Sequence, residues 1–106
     1  MTDYEVWTVA EIGSDDNGLV AFPTESDARA YLAARFRAIY ARAVINDDST
    51  LMSRAARMAA EAISSDCPGG CLRGVSYVLS REEMSHDELE DYLVDTGDFI
   101  PLTSEN

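Results

Sequence analysis

The sequence predicts an α+β fold: a small antiparallel sheet of three or four strands, packed on one face by helices, in the order β-β-α-α-β-α-(β). Three observations lead there. Two β-rich runs flank an Asn-Gly turn within the first 22 residues. Two long stretches of helical periodicity then follow, separated by only a few polar residues. A further β-rich run precedes a capping box near the C-terminal end. Strands and helices are grouped and do not alternate, which favours an antiparallel sheet over a parallel one.

The first strand is Tyr4–Ile12, "YEVWTVAEI", where β-branched and aromatic residues dominate. Alternation puts Tyr4, Val6, Thr8, Ala10 and Ile12 on one face and Glu5, Trp7, Val9 and Glu11 on the other. "GSDDNG" supplies the turn, with Asn17-Gly18 suited to positive φ. Leu19–Phe22 returns as the second strand, and Pro23 ends it. Thr24 caps a helix over Glu25–Ile45, whose apolar stripe is Ala28, Tyr31, Leu32, Phe36, Ile39, Tyr40 and Ala43. Asn46-Asp47-Asp48 breaks it. Asp48 or Ser49 caps a second helix with Leu51, Met52, Ala55, Met58, Ala59, Ala62 and Ile63 on one side. The short connection makes the two helices antiparallel neighbours.

"SSDCPGGC" stops the second helix, and Arg73–Ser80 reads as the third strand, with Val75, Tyr77 and Leu79 on one face. Ser85 then caps a third helix, Glu88 completes the capping box, and Met84 is placed to staple onto Leu89. Leu89, Tyr92 and Leu93 face inward, with Gly97 as the C-terminal stop. Phe99–Leu102 is expected as an edge strand, since Pro101 is tolerated only there. Residues 1–106 form one domain, with 103–106 frayed.

The charge balance is the strongest functional signal. Twenty acids face eight arginines, with no lysine, for a net charge of −12. Such a chain repels phosphate, so direct binding to nucleic acid or an anionic membrane is not expected, and its natural partner is a basic protein surface. Excess arginine over lysine with abundant alanine fits a high-GC coding background, and acidity also serves salt tolerance. No apolar run is long enough for a membrane span, and the N-terminus has no basic n-region, so the expected location is cytoplasmic.

Catalytic patterns are missing from the sequence. Cys67 and Cys71 in "CPGGC" are spaced like a zinc-ligand pair, but the complement of four is absent and the one histidine is His86. Two reduced thiols flanking a turn is the simpler reading. The run Ser85-His86-Asp87 is no triad, because consecutive helical residues point apart. "SDDNG" lacks the alternating ligands of a calcium loop. No catalytic residue, metal or cofactor is therefore assigned. A small metal or thiol protein using Cys67, Cys71 and His86 stands as one alternative.

Six arginines lie in residues 24–64 against five acids, so the middle is near neutral and the ends are acidic. Eight acids fall between Glu82 and Asp98. If helical, that segment spans ~25 Å, about one carboxylate per 3 Å, close to the phosphate spacing of one DNA strand. Capping accounts for Glu88 but not for Asp95 near the negative end of a helix. Glu88, Asp91 and Asp95 share a face at i, i+3, i+7, and Asp98 follows. Glu5, Glu11, Asp15 and Asp16 are expected to extend the surface. The expectation is a non-enzymatic inhibitor occupying a basic, nucleic-acid-binding groove, as DNA mimics among phage-borne anti-CRISPR and antirestriction proteins do. The alternative is an accessory module whose acidity serves solubility.

Overall fold

The computed structural model describes residues 3–13, 17–66, 68–92 and 99–102. Its elements in chain order are β1 (Asp3–Ile12), β2 (Asn17–Phe22), α1 (Glu25–Ile45), α2 (Ser49–Ser64), β3 (Gly69–Leu72), β4 (Val75–Ser85), α3 (His86–Glu90) and β5 (Ile100–Leu102). All strand pairs are antiparallel. The order is β2-β1-β4-β3, and β5 pairs the start of β1, Asp3–Glu5, along the edge that β2 covers further on. The α+β architecture and the element order read from the sequence are present.

β1 is the spine because it pairs β4 along its whole length on one edge and β2 and β5 on the other, with Val6 and Val9 buried on opposite faces. Its Val9 face, with Trp7, packs against α1 and α2. Phe22, Val75, Leu79 and the buried Leu72 and Tyr77 supply the rest of the sheet's contribution. Leu32 and Phe36 of α1 and Leu51 and Met58 of α2 fill the layer, and small alanines let the helices approach. Phe36 meets Tyr77 edge to face, ring centroids 4.9 Å apart at 71°. The helices are antiparallel: Arg29, early in α1, bonds the carbonyls that end α2, Ala62 at 3.2 Å and Ser65 at 2.7 Å.

Three local signals behave as their chemistry requires. Thr24 accepts the Asp27 N–H at 3.1 Å, and Asp48 accepts the Leu51 N–H at 3.1 Å. At Ser85 the capping box is complete, with the Glu88 N–H donating to the serine hydroxyl and the Ser85 N–H donating to the Glu88 carboxylate. Met84 and Leu89 are buried together, as the staple requires.

Five expectations need revision. The opposite sheet face is not bare: Val6, Ala21 and Met84 gather there with Leu89 of α3 and Phe99. An additional strand, β3, occupies the segment read as a plain turn and makes the sheet five-stranded. Gly69 and Gly70 hold φ of 117° and 135° there, and a Cβ on Gly69 would collide with the Tyr77 carbonyl. β4 runs on to Ser85, five residues past Ser80, because β1 offers partners all the way to Asp3. Helix α3 is five residues long, with a turn at Asp91-Tyr92. Tyr40 and Ile63, assigned to apolar stripes, are not buried, with 38% and 53% of their surface exposed. Leu93, Asp95, Gly97 and Asp98 lie outside the described residues, as do Asp15, Asp16 and Cys67. Among the described residues no helix is long and apolar enough to cross a membrane.

Candidate functional site

The antiparallel pairing of β1 with β4 sets Asp3 opposite Ser85 and Ile12 opposite Ser76. Ten residues of β1 therefore separate two ends of the molecule by ~30 Å. At the first end β4 runs out through Arg81-Glu82-Glu83 and turns into α3. Glu82 and Glu83 point to opposite sheet faces, and both are exposed. Asp87 and Glu90 of α3 and Asp91 just after it are exposed as well, as is Asp3 across the ladder. Here the fold brings together six exposed carboxylates from the end of β4, from α3 and the residue after it, and from the start of β1. Among the described residues none of the six bonds to an arginine.

The sequence-assigned residues separate into three groups. Glu88 and Asp91 belong to this acidic end, but Glu88 spends one carboxylate oxygen on the Ser85 N–H at 2.9 Å. Glu5 stands at the same end, opposite Glu83. Its carboxylate is held by Arg81 at 2.8 Å and by the Trp7 indole N–H at 3.4 Å. Those two bonds to the ionised form, that of Arg81 foremost, hold the Glu5 carboxyl below its ordinary value of 4.5. Glu11 is at the far end of β1, ~20 Å along the strand from Glu5. Arg35 grips it with two nitrogens, at 3.0 and 2.9 Å, and the Tyr31 hydroxyl donates to it at 3.3 Å. Glu11 is thus a tie between sheet and helix and not part of a free anionic surface. Asp15, Asp16, Asp95 and Asp98 lie outside the described residues.

The expected helical row also changes form. Residues 82–85 are extended, so acids there alternate between faces, and only His86–Glu90 is helical. Asp3, Glu82, Glu83, Asp87 and Glu90 were not assigned to the site from sequence. What would have pointed to Asp3, Glu82 and Glu83 is the length of β1, which obliges β4 to be equally long.

The thiol alternative is separated by geometry. Cys71 pairs opposite Ser76, whereas His86 follows Ser85 at the other end of β4. Nine residues of strand put them ~30 Å apart, too far to share an ion. His86 lies instead beside Glu90, at 3.7 Å, and with Asp87 and Glu90 forms an exposed trio whose ligand atoms fall within 4.8 Å of one another. Exposed acidic trios of this kind are ordinary on so acidic a surface.

The arginines divide similarly. Arg29, Arg35 and Arg81 are paired with Glu25, Glu11 and Glu5. Arg54 donates to the Cys71 carbonyl at 2.9 Å. Arg29 does more than the surface pairing expected of it, since it also closes the end of α2. No protein-family model matches the chain, and neither a curated protein nor a solved structure shows significant similarity to it.

Proposed function

We propose that the protein is a non-enzymatic binding protein that lays its acidic end on a basic surface of a partner, its carboxylates standing in for phosphates. One observation carries this reading. Asp3, Glu82, Glu83, Asp87, Glu90 and Asp91 are exposed together around the β4–α3 junction, and among the described residues none of them is bonded to an arginine. Elsewhere Glu5, Glu11 and Glu25 are neutralised by arginines, Asp48 caps α2, and Asp27, Asp47, Glu61 and Asp66 are spread over α1, the α1–α2 connection and the end of α2. Like charges left together in this way cost a few tenths of a kcal/mol per pair. A cationic receptor recovers that cost on binding and is drawn in by the field.

The partner class that fits is a nucleic-acid-binding protein with a basic groove, and inhibition follows from occupancy of that groove. An anti-defence inhibitor of the anti-CRISPR or antirestriction type belongs to this class by analogy of charge and size. The protein itself is not expected to bind nucleic acid.

The test is a comparative capture from bacterial lysate. Wild-type protein is expected to retain a basic partner at about 50 mM salt and to release it by about 300 mM. The triple variant Asp87→Asn, Glu90→Gln, Asp91→Asn should lose it at both. Equal retention by the variant would remove the acidic end as the contact. Higher thermal stability in molar salt, with no partner retained, would favour an acidity that serves salt tolerance.

A further inference from the structure

We infer that the cleft between the last turns of α1 and the β3–β4 hairpin binds a carboxylate carrying an apolar chain. The cleft lies at the end of the sheet away from α3, so the inference is independent of the acidic docking surface. It is a cavity of about 180 Å³ with Ile39, Leu72, Val75 and Tyr77 in its lining and Arg42 and Arg73 among the same residues. A second hollow of about 210 Å³ shares Ile39 and Arg42 and adds Arg35. Leu72 and Tyr77 are buried, whereas both Arg42 and Arg73 are exposed. The result is an apolar lining with two guanidinium groups near solvent.

Neither the Arg42 nor the Arg73 guanidinium has a hydrogen bond or ion pair among the described residues, in a chain where acids outnumber arginines 20 to 8. Arg35, beside them, is already engaged by Glu11. Asp48 caps α2, and Asp47 makes no ion pair with either arginine. Arg42 is favoured in part by the negative end of α1. No such reason exists for Arg73. It occupies the first position of a two-residue hairpin turn at φ 54°, followed by Gly74 at φ 78°. That position favours Asn, Asp or Gly, and a long side chain there is disfavoured by the turn itself. Its placement beside Arg42 is what the turn chemistry leaves unexplained.

Tyr77 adds a third feature. It is 5% exposed, and its hydroxyl has no hydrogen-bond partner among the described residues, yet it is not sealed from solvent. Burial raises its pKa, so it remains a neutral O–H donor at physiological pH. Two guanidinium groups suit a carboxylate, which each can bond bidentately. The apolar lining selects for a chain attached to it, and a bare inorganic anion leaves that lining unfilled.

The probes are sodium hexanoate, a short peptide with a free C-terminal leucine, hexanol and inorganic phosphate, each titrated into the isotopically labelled full chain. Saturable shifts at Leu72, Val75 and Ile39 are expected with hexanoate or the peptide at about millimolar concentration. The tighter of the two identifies the source, a free acid or a chain terminus. Arg42→Gln and Arg73→Gln should each weaken binding about tenfold, since a hydrogen bond to a charged group is lost. Arg57→Gln, an exposed arginine outside the cleft, should leave it unchanged. Circular dichroism checks that the variants fold. The inference is overturned if neither carboxylate saturates, if phosphate or hexanol binds as tightly, or if Arg57→Gln weakens binding equally.

Discussion

Single residues decide which charges are structural. Glu11 is four-fifths buried as a side chain and receives two bonds from Arg35 and one from Tyr31. An exposed pair contributes at most ~1 kcal/mol, and this one is partly shielded and bidentate. Glu11→Ala should therefore lower stability by about 1 kcal/mol, read as a shift in the urea midpoint followed through Trp7 fluorescence. A double-mutant cycle with Arg35→Ala should recover most of that as coupling. Glu5 makes a prediction about pH. Its folded pKa is depressed, so its stabilising contribution is present above the ordinary value of 4.5 and is lost as pH falls through the lower folded value. Between about pH 5 and about pH 3, Glu5→Gln should lose less stability than the wild type. An unchanged acid limb in the variant would remove Glu5 as a contributor. Neither role was visible in the chain alone. Glu5 and Glu11 alternate with apolar residues like any strand acids, and their partners are 76 and 24 positions away.

At the scale of elements, the signals that act within a few residues were legible. Helix α1 and the three caps follow from side chains at fixed offsets, and their energies are local. Ser85→Ala should cost about 1 kcal/mol by removing the cap of α3, with the loss seen in amide exchange at Glu88. Elements that exist only because a neighbour offers a ladder were not legible. β3 is built on glycines, which disfavour strands, and the C-terminal half of β4 is charged. Both form because β1 and β4 supply paired backbone groups. Gly69→Ala should accordingly destabilise by about 1–3 kcal/mol, through a disfavoured φ and contact with the Tyr77 carbonyl. A wild-type thermal midpoint in that variant would show that β3 tolerates a side chain there. Arg29 links two elements, through bonds to the terminal carbonyls of α2. Arg29→Met should cost about 2 kcal/mol, the worth of hydrogen bonds to a charged group, again measured by urea denaturation.

Across the whole molecule, the strand pairing turns a sequence pattern into a charge polarity. The chain's acid-rich segments near residues 3 and 82–91 meet because β1 and β4 are antiparallel and in full register. Arg42 and Arg73 sit at the other end, beside the hairpin that closes β3 on β4. The net charge of −12 was plain from composition, but its distribution depends on register, which composition does not contain. The expected continuity from Glu5 to Glu11 failed for that reason: six residues of strand carry Glu11 away from α3 and into the reach of Arg35. The account predicts that a cation recognises one end and not the surface as a whole. The direct measurement is a titration of the labelled protein with a nona-arginine peptide, mapped residue by residue by NMR. Shifts concentrated at Glu82, Glu83 and His86–Asp91, and abolished by about 300 mM salt, are the predicted result. Shifts of equal size at Asp27, Glu61 and Asp66 would show that the acidity is only diffuse and would contradict the proposed docking end.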